Sequence, residues 1–338
     1  MRSNVNIFVK MTHDTSGKDI DIGFLVSGTY VESIDLSGPK LLLVFKDREA
    51  YIVHHLQLKE YDEISVTFSD EWREEAVTIR ETFVVLTCKP MPDGTVTVNA
   101  ISKTVFRLKE IADKTRVFSG RGVQDVVAAY AGRLKRDVGQ FAVVQNYHVI
   151  AGERPTTMLR QLADEHGAHA WIARDTFHLR KFAELYKQAP AMVFHHAAIN
   201  EPHAILSFQR PSKQMSLEES KIRSFTGWDE VKGRVKTSSS TPSLAKAKST
   251  PPVITGVQSP YVLGNAPVTK KPVIDFLTLG TLRLTAGMAL KLMWHTPDPE
   301  NPLDEGMPDK IVVESVAHWY STQKYYCRVK GAAILEPF

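Results

Sequence analysis

The sequence predicts a mainly β protein with a small α/β insert: two β-barrel-like tube domains flanking a helix-strand-helix-hairpin domain. Three observations lead there. The first hundred residues hold short β-branched and aromatic runs divided by turn residues, the period turns helical after Gly122, and strand character returns beyond Pro190. The domains this implies are residues 1–117, 118–189 and 190–338.

In the first unit, GFLVSGTYVESIDLS and the apolar run KLLLVFKD read as strands, and EISVTFSD alternates Ile64, Val66 and Phe68 on one face. EAVTIRETFVVLTCKP and GTVTVNAISKTVF follow as two more, divided by the turn Met91-Pro92-Asp93-Gly94. Closely spaced short strands of this kind make a small antiparallel barrel or sandwich.

The insert opens with GVQDVVAAYAGRL, which sets Val123, Val126, Val127, Tyr130 and Leu134 at helical spacing. FAVVQNYHVI is a strand. A second helix follows, with Pro155 in its first turn, Met158, Leu159 and Leu162 as its apolar stripe and Gly167 as a left-handed stop. AHAWIARDTFHLRKF then makes a hairpin around Arg174-Asp175-Thr176.

Beyond it, HAILSFQR and SFTGWDEVKGRVKT are strands. The stretch at about 236–260, rich in Ser, Thr, Pro and Lys, is expected to be a mobile arm. TLGTLRLTAGMALKLMW, the acidic connection HTPDPENPLDEGMPD and the paired strands KIVVESVAHWYS and KYYCRVKGAAI complete the second barrel. In the first strand of that pair, Ile311, Val313, Ala317 and Trp319 share one face, and Val312, Glu314, Val316, His318 and Tyr320 share the other. Apolar groups on both faces call for cover on both sides, from a neighbouring subunit or from a helix or the arm of the same chain.

Of 338 residues, 43% are hydrophobic and 24% charged, ordinary values for a globular protein. A net charge of +4 falls short of the dense basic stripe that phosphate-backbone binding requires. The two cysteines, Cys88 and Cys327, form no metal or redox spacing, and no apolar stretch is long enough for a membrane anchor. The N-terminus shows no export signal.

Twelve histidines include the doublets His54-His55 and His195-His196, with His203 nearby. Strand neighbours point to opposite faces and no HExxH or cysteine partner closes a shell, so these read as ordinary polar residues, not metal ligands. Asp164 and Glu165, beside His166 and His169, fall on the outer face of their helix. No GxSxG, Walker A loop or dinucleotide GxGxxG occurs. The expectation is a protein without catalytic, cofactor or metal residues.

Two stretches resemble the central baseplate hub family of contractile phage tails, which includes the phage late-control protein D and the N-terminal part of type VI secretion spike proteins. In GERPTTMLRQLADEHGAHAWIARDTFHLR, Leu159, Leu162, Ala163, Gly167 and Trp171 match the family's Leu-x-x-Leu-Ala helix, glycine stop and aromatic hairpin. In DKIVVESVAHWYSTQKYYCRVKG, Val313, Val316, His318 and Tyr326 match its final hairpin. HHLQLKEYDEISVTF resembles the family's entry into a barrel strand, with Glu60-Tyr61 where glycine is common.

The resemblance implies a structural protein, not an enzyme: a homotrimer adapting the sixfold tail tube, or a tube-initiating ring, to a threefold spike. It places the chain in the virion baseplate, made in the host cytoplasm, with genomic DNA only in transit through the channel. The sequence ends soon after the second barrel, which implies a separate central spike protein as a partner; the 236–260 arm would meet neighbouring baseplate proteins. Two other classes stay open. The insert also resembles LysM-like carbohydrate-binding modules, which implies a peptidoglycan-binding or cell-wall hydrolase-associated tail protein, and a β-rich nucleic-acid binder is the third.

Overall fold

Along most of the chain apolar residues alternate with polar ones, and a pleated backbone sends them to opposite faces of a sheet. The computed structural model describes residues 6–334 apart from 48–49, 73–74, 142–144, 198–202, 211–224, 230–232, 237–252, 258–269, 299–302 and 322–323. The first half contains β1 (Phe8–His13), β2 (Lys18–Asp19), β3 (Leu25–Ser33), β4 (Lys40–Lys46), β5 (Glu63–Ser69), β6 (Thr78–Pro90) and β7 (Thr95–Ser102). Next come α1 (Lys103–Lys109), β8 (Arg116–Arg121), α2 (Val123–Ala131), β9 (Lys135–Val138), β10 (Gln145–Val149), α3 (Pro155–Glu165), β11 (Ala168–Ala173), β12 (Thr176–Lys181) and α4 (Phe182–Lys187). The last part holds β13 (Met192–His196), β14 (Ala204–Gln209), β15 (Phe225–Asp229), β16 (Gly233–Lys236), β17 (Val253–Val257), β18 (Lys270–Leu279), β19 (Ala289–Trp294), β20 (Lys310–Ser321) and β21 (Lys324–Ile334).

A single thirteen-stranded sheet carries both ends of the chain, in the order β19-β13-β14-β18-β21-β20-β3-β4-β7-β6-β5-β1-β2. Because β19 also pairs with β20, six of these strands close into a barrel. On the other side of the β20–β3 seam, the first-half strands curl until Phe8 of β1 rests on Gly28 of β3. A Cβ at Gly28 would stand 2.4 Å from the Phe8 ring, so glycine permits that approach. Phe8, Tyr30, Phe68 and Phe83 fill the curl, with neighbouring ring centroids 4.7 to 6.3 Å apart. The apolar core is continuous across the seam, from Ile7 and Phe8 to Val316 and Val329.

The α/β segment has its own core, which holds Leu159, Leu162 and Ala163 of α3 together with Val123, Val126 and Val127 of α2. As predicted, Pro155 starts α3 and Gly167 follows it at φ +58°. The β11–β12 hairpin has a third strand that the periodicity did not reveal: β9, of sequence KRDV, pairs parallel with β12. Tyr61 holds φ +69°, so the left-handed turn is kept where the family pattern has glycine.

Several expectations are corrected. KTVF does not continue the strand; the chain turns into α1 after Ser102, and likewise into α4 after Lys181. His54 and His55 lie exposed at the end of a single π-helical turn, Tyr51–His55, and not on a strand. Within the expected mobile arm, Val253–Val257 forms β17, paired parallel with β15; most of the remaining arm lies outside the described residues.

The two-faced reading of β20 also changes. Its register against β21 shifts between Val313 and Ser315, a bulge that turns the strand part-way along. Ile311 and Val313 before it, and Val316 and Tyr320 after it, therefore all face the main core. Val312 points the other way, into a small third core with Ile34, Trp171, Phe182 and Leu185. The cover over Val312 is thus supplied by α4 and the hairpin of the same chain, while beyond the bulge Trp319 is 43% exposed.

Candidate assembly surface

Where β3, the hairpin turn and the loop before β19 meet, a fully buried carboxylate organises the junction. Glu32 Oε1 accepts from Arg174 Nε at 2.8 Å and from the Tyr30 hydroxyl at 2.9 Å. Its Oε2 accepts from the Thr285 hydroxyl at 2.6 Å and the Ala286 amide at 3.2 Å. Arg174 also donates Nη2 to the Leu284 carbonyl. One carboxylate thus ties the first sheet to the insert and to the second barrel. Asp70 adds a second tie: its Oδ2 accepts from the Leu282 amide at 2.9 Å.

The backbone shows why the hairpin can reach so far in. Arg174 and Asp175 have φ +49° and +58°, the geometry of a two-residue type I′ turn, for which Asn-Gly is the usual choice. Arginine is unfavourable there, and its guanidinium is what enters the junction. Burial pushes the Glu32 carboxyl up, but Arg174, His318 and the Thr285 hydroxyl outweigh it and hold the carboxyl down to about 2.

His318 lies beside this network. Its Nε2 donates to the Leu284 carbonyl at 3.1 Å, which leaves Nδ1 to accept from the Tyr325 hydroxyl at 2.7 Å. Burial, opposed by Glu32, lowers its pKa to about 4, consistent with that neutral tautomer. The buried partner is Tyr325; the sequence-singled Tyr326 lies on the opposite face.

That opposite face carries an ordered surface. Cross-strand pairing places Leu279, Tyr326, Trp319, Thr29, Leu42, Asn99 and Thr87 in one row, one residue from each of β18, β21, β20, β3, β4, β7 and β6. Leu279, Trp319 and Leu42 are 45%, 43% and 39% exposed, and Trp319 stacks on Tyr326 with centroids 6.0 Å apart. The row thus sets three exposed apolar side chains and Tyr326 among the polar Thr29, Asn99 and Thr87, across the seam between the two β units. With strands about 4.8 Å apart, the row is roughly 30 Å long.

Of the other sequence-selected residues, Leu159, Leu162, Ala163, Trp171, Val313 and Val316 are buried. Trp171 is buried, stacked face to face on His178 at 4.5 Å, and Gly287 is excluded from bearing a side chain there, since its Cβ would lie 2.6 Å from the Trp171 ring at φ +84°. Val313 and Val316 are in the main core. Asp164 is exposed and His166 buried against the Tyr147 hydroxyl at 3.0 Å. His195 and His295 are hydrogen-bonded at 3.0 Å, a pair the sequence did not connect. Among the described residues no three His, Cys, Asp or Glu side chains are grouped to hold a metal.

A polar cavity of about 390 Å³ lies between the first sheet and the insert, lined among others by Arg80, Glu81, Ser102, Lys103 and Asp175. Burial, with the Glu32 charge adding to it, lifts the Glu81 carboxyl to about 7, against a hydrogen bond from Ser102.

These features define an architectural class: two joined β units, one of them a closed barrel, with an α/β insert clamped to their seam. No family model and no curated protein matches the chain. Solved structures do share its fold, two of them over nearly their whole length. A tail protein from Neisseria meningitidis MC58 superposes with a TM-score of 0.64 at 9% identity, covering 96% of both chains. The 43 kDa tail protein of prophage MuSo2 from Shewanella oneidensis gives 0.65 at 12% identity and 98% of both. The E. coli c3393 protein, a type VI secretion component, gives 0.52 at 9% identity over 92% of this chain and 74% of its own. The fold is that of phage tail and type VI secretion proteins.

Proposed function

We propose that the chain is the structural, non-enzymatic baseplate hub of a contractile phage tail. Three copies form a ring that adapts a sixfold tail tube to a threefold central spike and borders the channel through which DNA leaves. The observation that carries this reading is the β20–β3 seam: it joins two β units side by side in one sheet, so three chains present six such units. The near-complete coverage of two tail proteins supports it.

In this reading residues 1–117 and 190–338 are the two tube-like domains, and 118–189 is the insert that sets their angle. Leu159, Leu162, Ala163, Gly167, Trp171, Val313, Val316, His318 and Tyr326 act by packing. The partners are a tube protein or tube-initiating ring, a separate spike chain and, through the 236–260 arm, neighbouring baseplate proteins.

Electron microscopy of the purified chain tests the reading. It predicts threefold particles with six lobes around a pore; particles of any other symmetry would overturn it. Co-sedimentation with peptidoglycan, in contrast, would favour the wall-binding alternative.

A further inference from the structure

The exposed row has charged flanks. Next to it, cross-strand pairing aligns Lys324, Ser321, Ser27 and Val44 on one side and Arg328, Ala317, Val31 and Lys40 on the other. Over β21, β20, β3 and β4, these outward positions hold Lys324, Arg328 and Lys40 and no acidic residue. Arg328 is held by Asp275 of β18 in a two-pronged contact, with Nε and Nη2 both 2.9 Å from a carboxylate oxygen, while Lys40 and Lys324 are exposed. The surface is a row in which Leu279, Tyr326, Trp319 and Leu42 stand among polar residues, flanked by Lys40 and Lys324.

At the far end of the second barrel lies a more acidic surface. A groove of about 340 Å³ beside β19 is lined by Met293, Leu303 and Met307 and edged by Asp304, Glu305 and Asp309, with Lys291 as the one cation in its lining. All three acids are exposed, as is Leu303 at 42%. One copy cannot bring the two surfaces together. Lys310 of β20 pairs with Lys291 at the groove, and Trp319 lies nine residues further along the strand. At about 3.3 Å per residue that is a separation of about 30 Å.

We infer that the exposed row of one copy receives the acid-edged groove of a second copy. The inference rests on the ring assembly proposed above and names the surfaces that build it. Unlike surfaces meeting in this way form a heterologous contact, the kind that closes a ring when the rotation is right. Lys40 and Lys324 meet Asp304, Glu305 and Asp309, Leu303 and Met307 cover Trp319 and Tyr326, and the charges set partner and register.

The test is charge exchange on the full chain, read by sedimentation velocity, with circular dichroism to show that each variant is folded. Lys40→Glu with Lys324→Glu should shift the trimer to monomer, and Asp304→Lys with Glu305→Lys should do the same. The chain carrying all four substitutions should regain the trimer. If the wild type is a trimer and either double variant remains one, the docking assignment is overturned while the ring stands. It is also overturned if both doubles dissociate and the fourfold variant does not recover. A wild type that stays monomeric at every concentration overturns both.

Discussion

Arg174 and Asp175 share one strained turn but have opposite duties, and a pair of substitutions separates them. Asp175 is exposed, so Asp175→Gly relieves a left-handed conformation and should stabilise the protein by up to about 1 kcal/mol. Arg174→Gly relieves the same strain yet removes the partner of buried Glu32, and should cost about 3–5 kcal/mol. Chemical denaturation of both variants checks this; equal effects would show that the Arg174 side chain contributes nothing. Acid should act on the same junction. Glu32 has its pKa lowered from 4.5 to about 2, so its contribution is complete above pH 4.5 and is lost as pH falls towards 2. His318, lowered from 6.5 to about 4, stays neutral when folded, and stability is lost as pH falls from 6.5 through 4. Glu81 has the opposite sign: raised from 4.5 to about 7, it lowers stability as pH rises between those values. Thermal melts should therefore show Glu81→Gln gaining on the wild type from pH 4.5 to pH 7.5.

Among elements, α3, its glycine stop and the hairpin were legible because a 3.6-residue stripe and a left-handed glycine act locally. So were the final strand pair and the alternation of β5. Elements hidden from the sequence were those that depend on tertiary partners. The strand β9 is mostly charged and exists through its pairing with β12; α1 and α4 are short turns of helix that follow strands without a glycine or proline to divide them. The bulge in β20 was also invisible, since Val312, Val313 and Val316 carry no mark of which face each takes until β21 sets the register. Glu32 and Arg174, 142 residues apart, gave one signal only: an arginine in a turn that prefers Asn-Gly. The small core over Val312 yields its own expectation. Trp171→Ala should cost about 3–5 kcal/mol by loss of burial and opening of a cavity against Gly287, measured by denaturant unfolding. A cost below about 1 kcal/mol would mean that the insert is not clamped through this contact.

At the scale of the molecule, the fold class was readable from the order of strand-rich and helical segments, but the seam was not. It joins β3, near residue 30, to β20, near residue 318, and no local pattern predicts which strands of two units will pair. The proposed function divides in the same way: the hub resemblance is carried by two local stretches, while the exposed row could be seen only once seven strands were in register. Replacing residues 237–252 with a Gly/Ser linker of equal length, which keeps β16 and β17 on either side of β15, should leave the melting temperature unchanged and weaken assembly with baseplate partners; unchanged assembly would remove the arm from the account. The central claim is that this chain is built to ring with copies of itself, and multi-angle light scattering across a concentration series measures it directly. The account predicts a stable species of three times the 37.9 kDa chain mass, persisting on dilution. A single-chain mass at every concentration would contradict it.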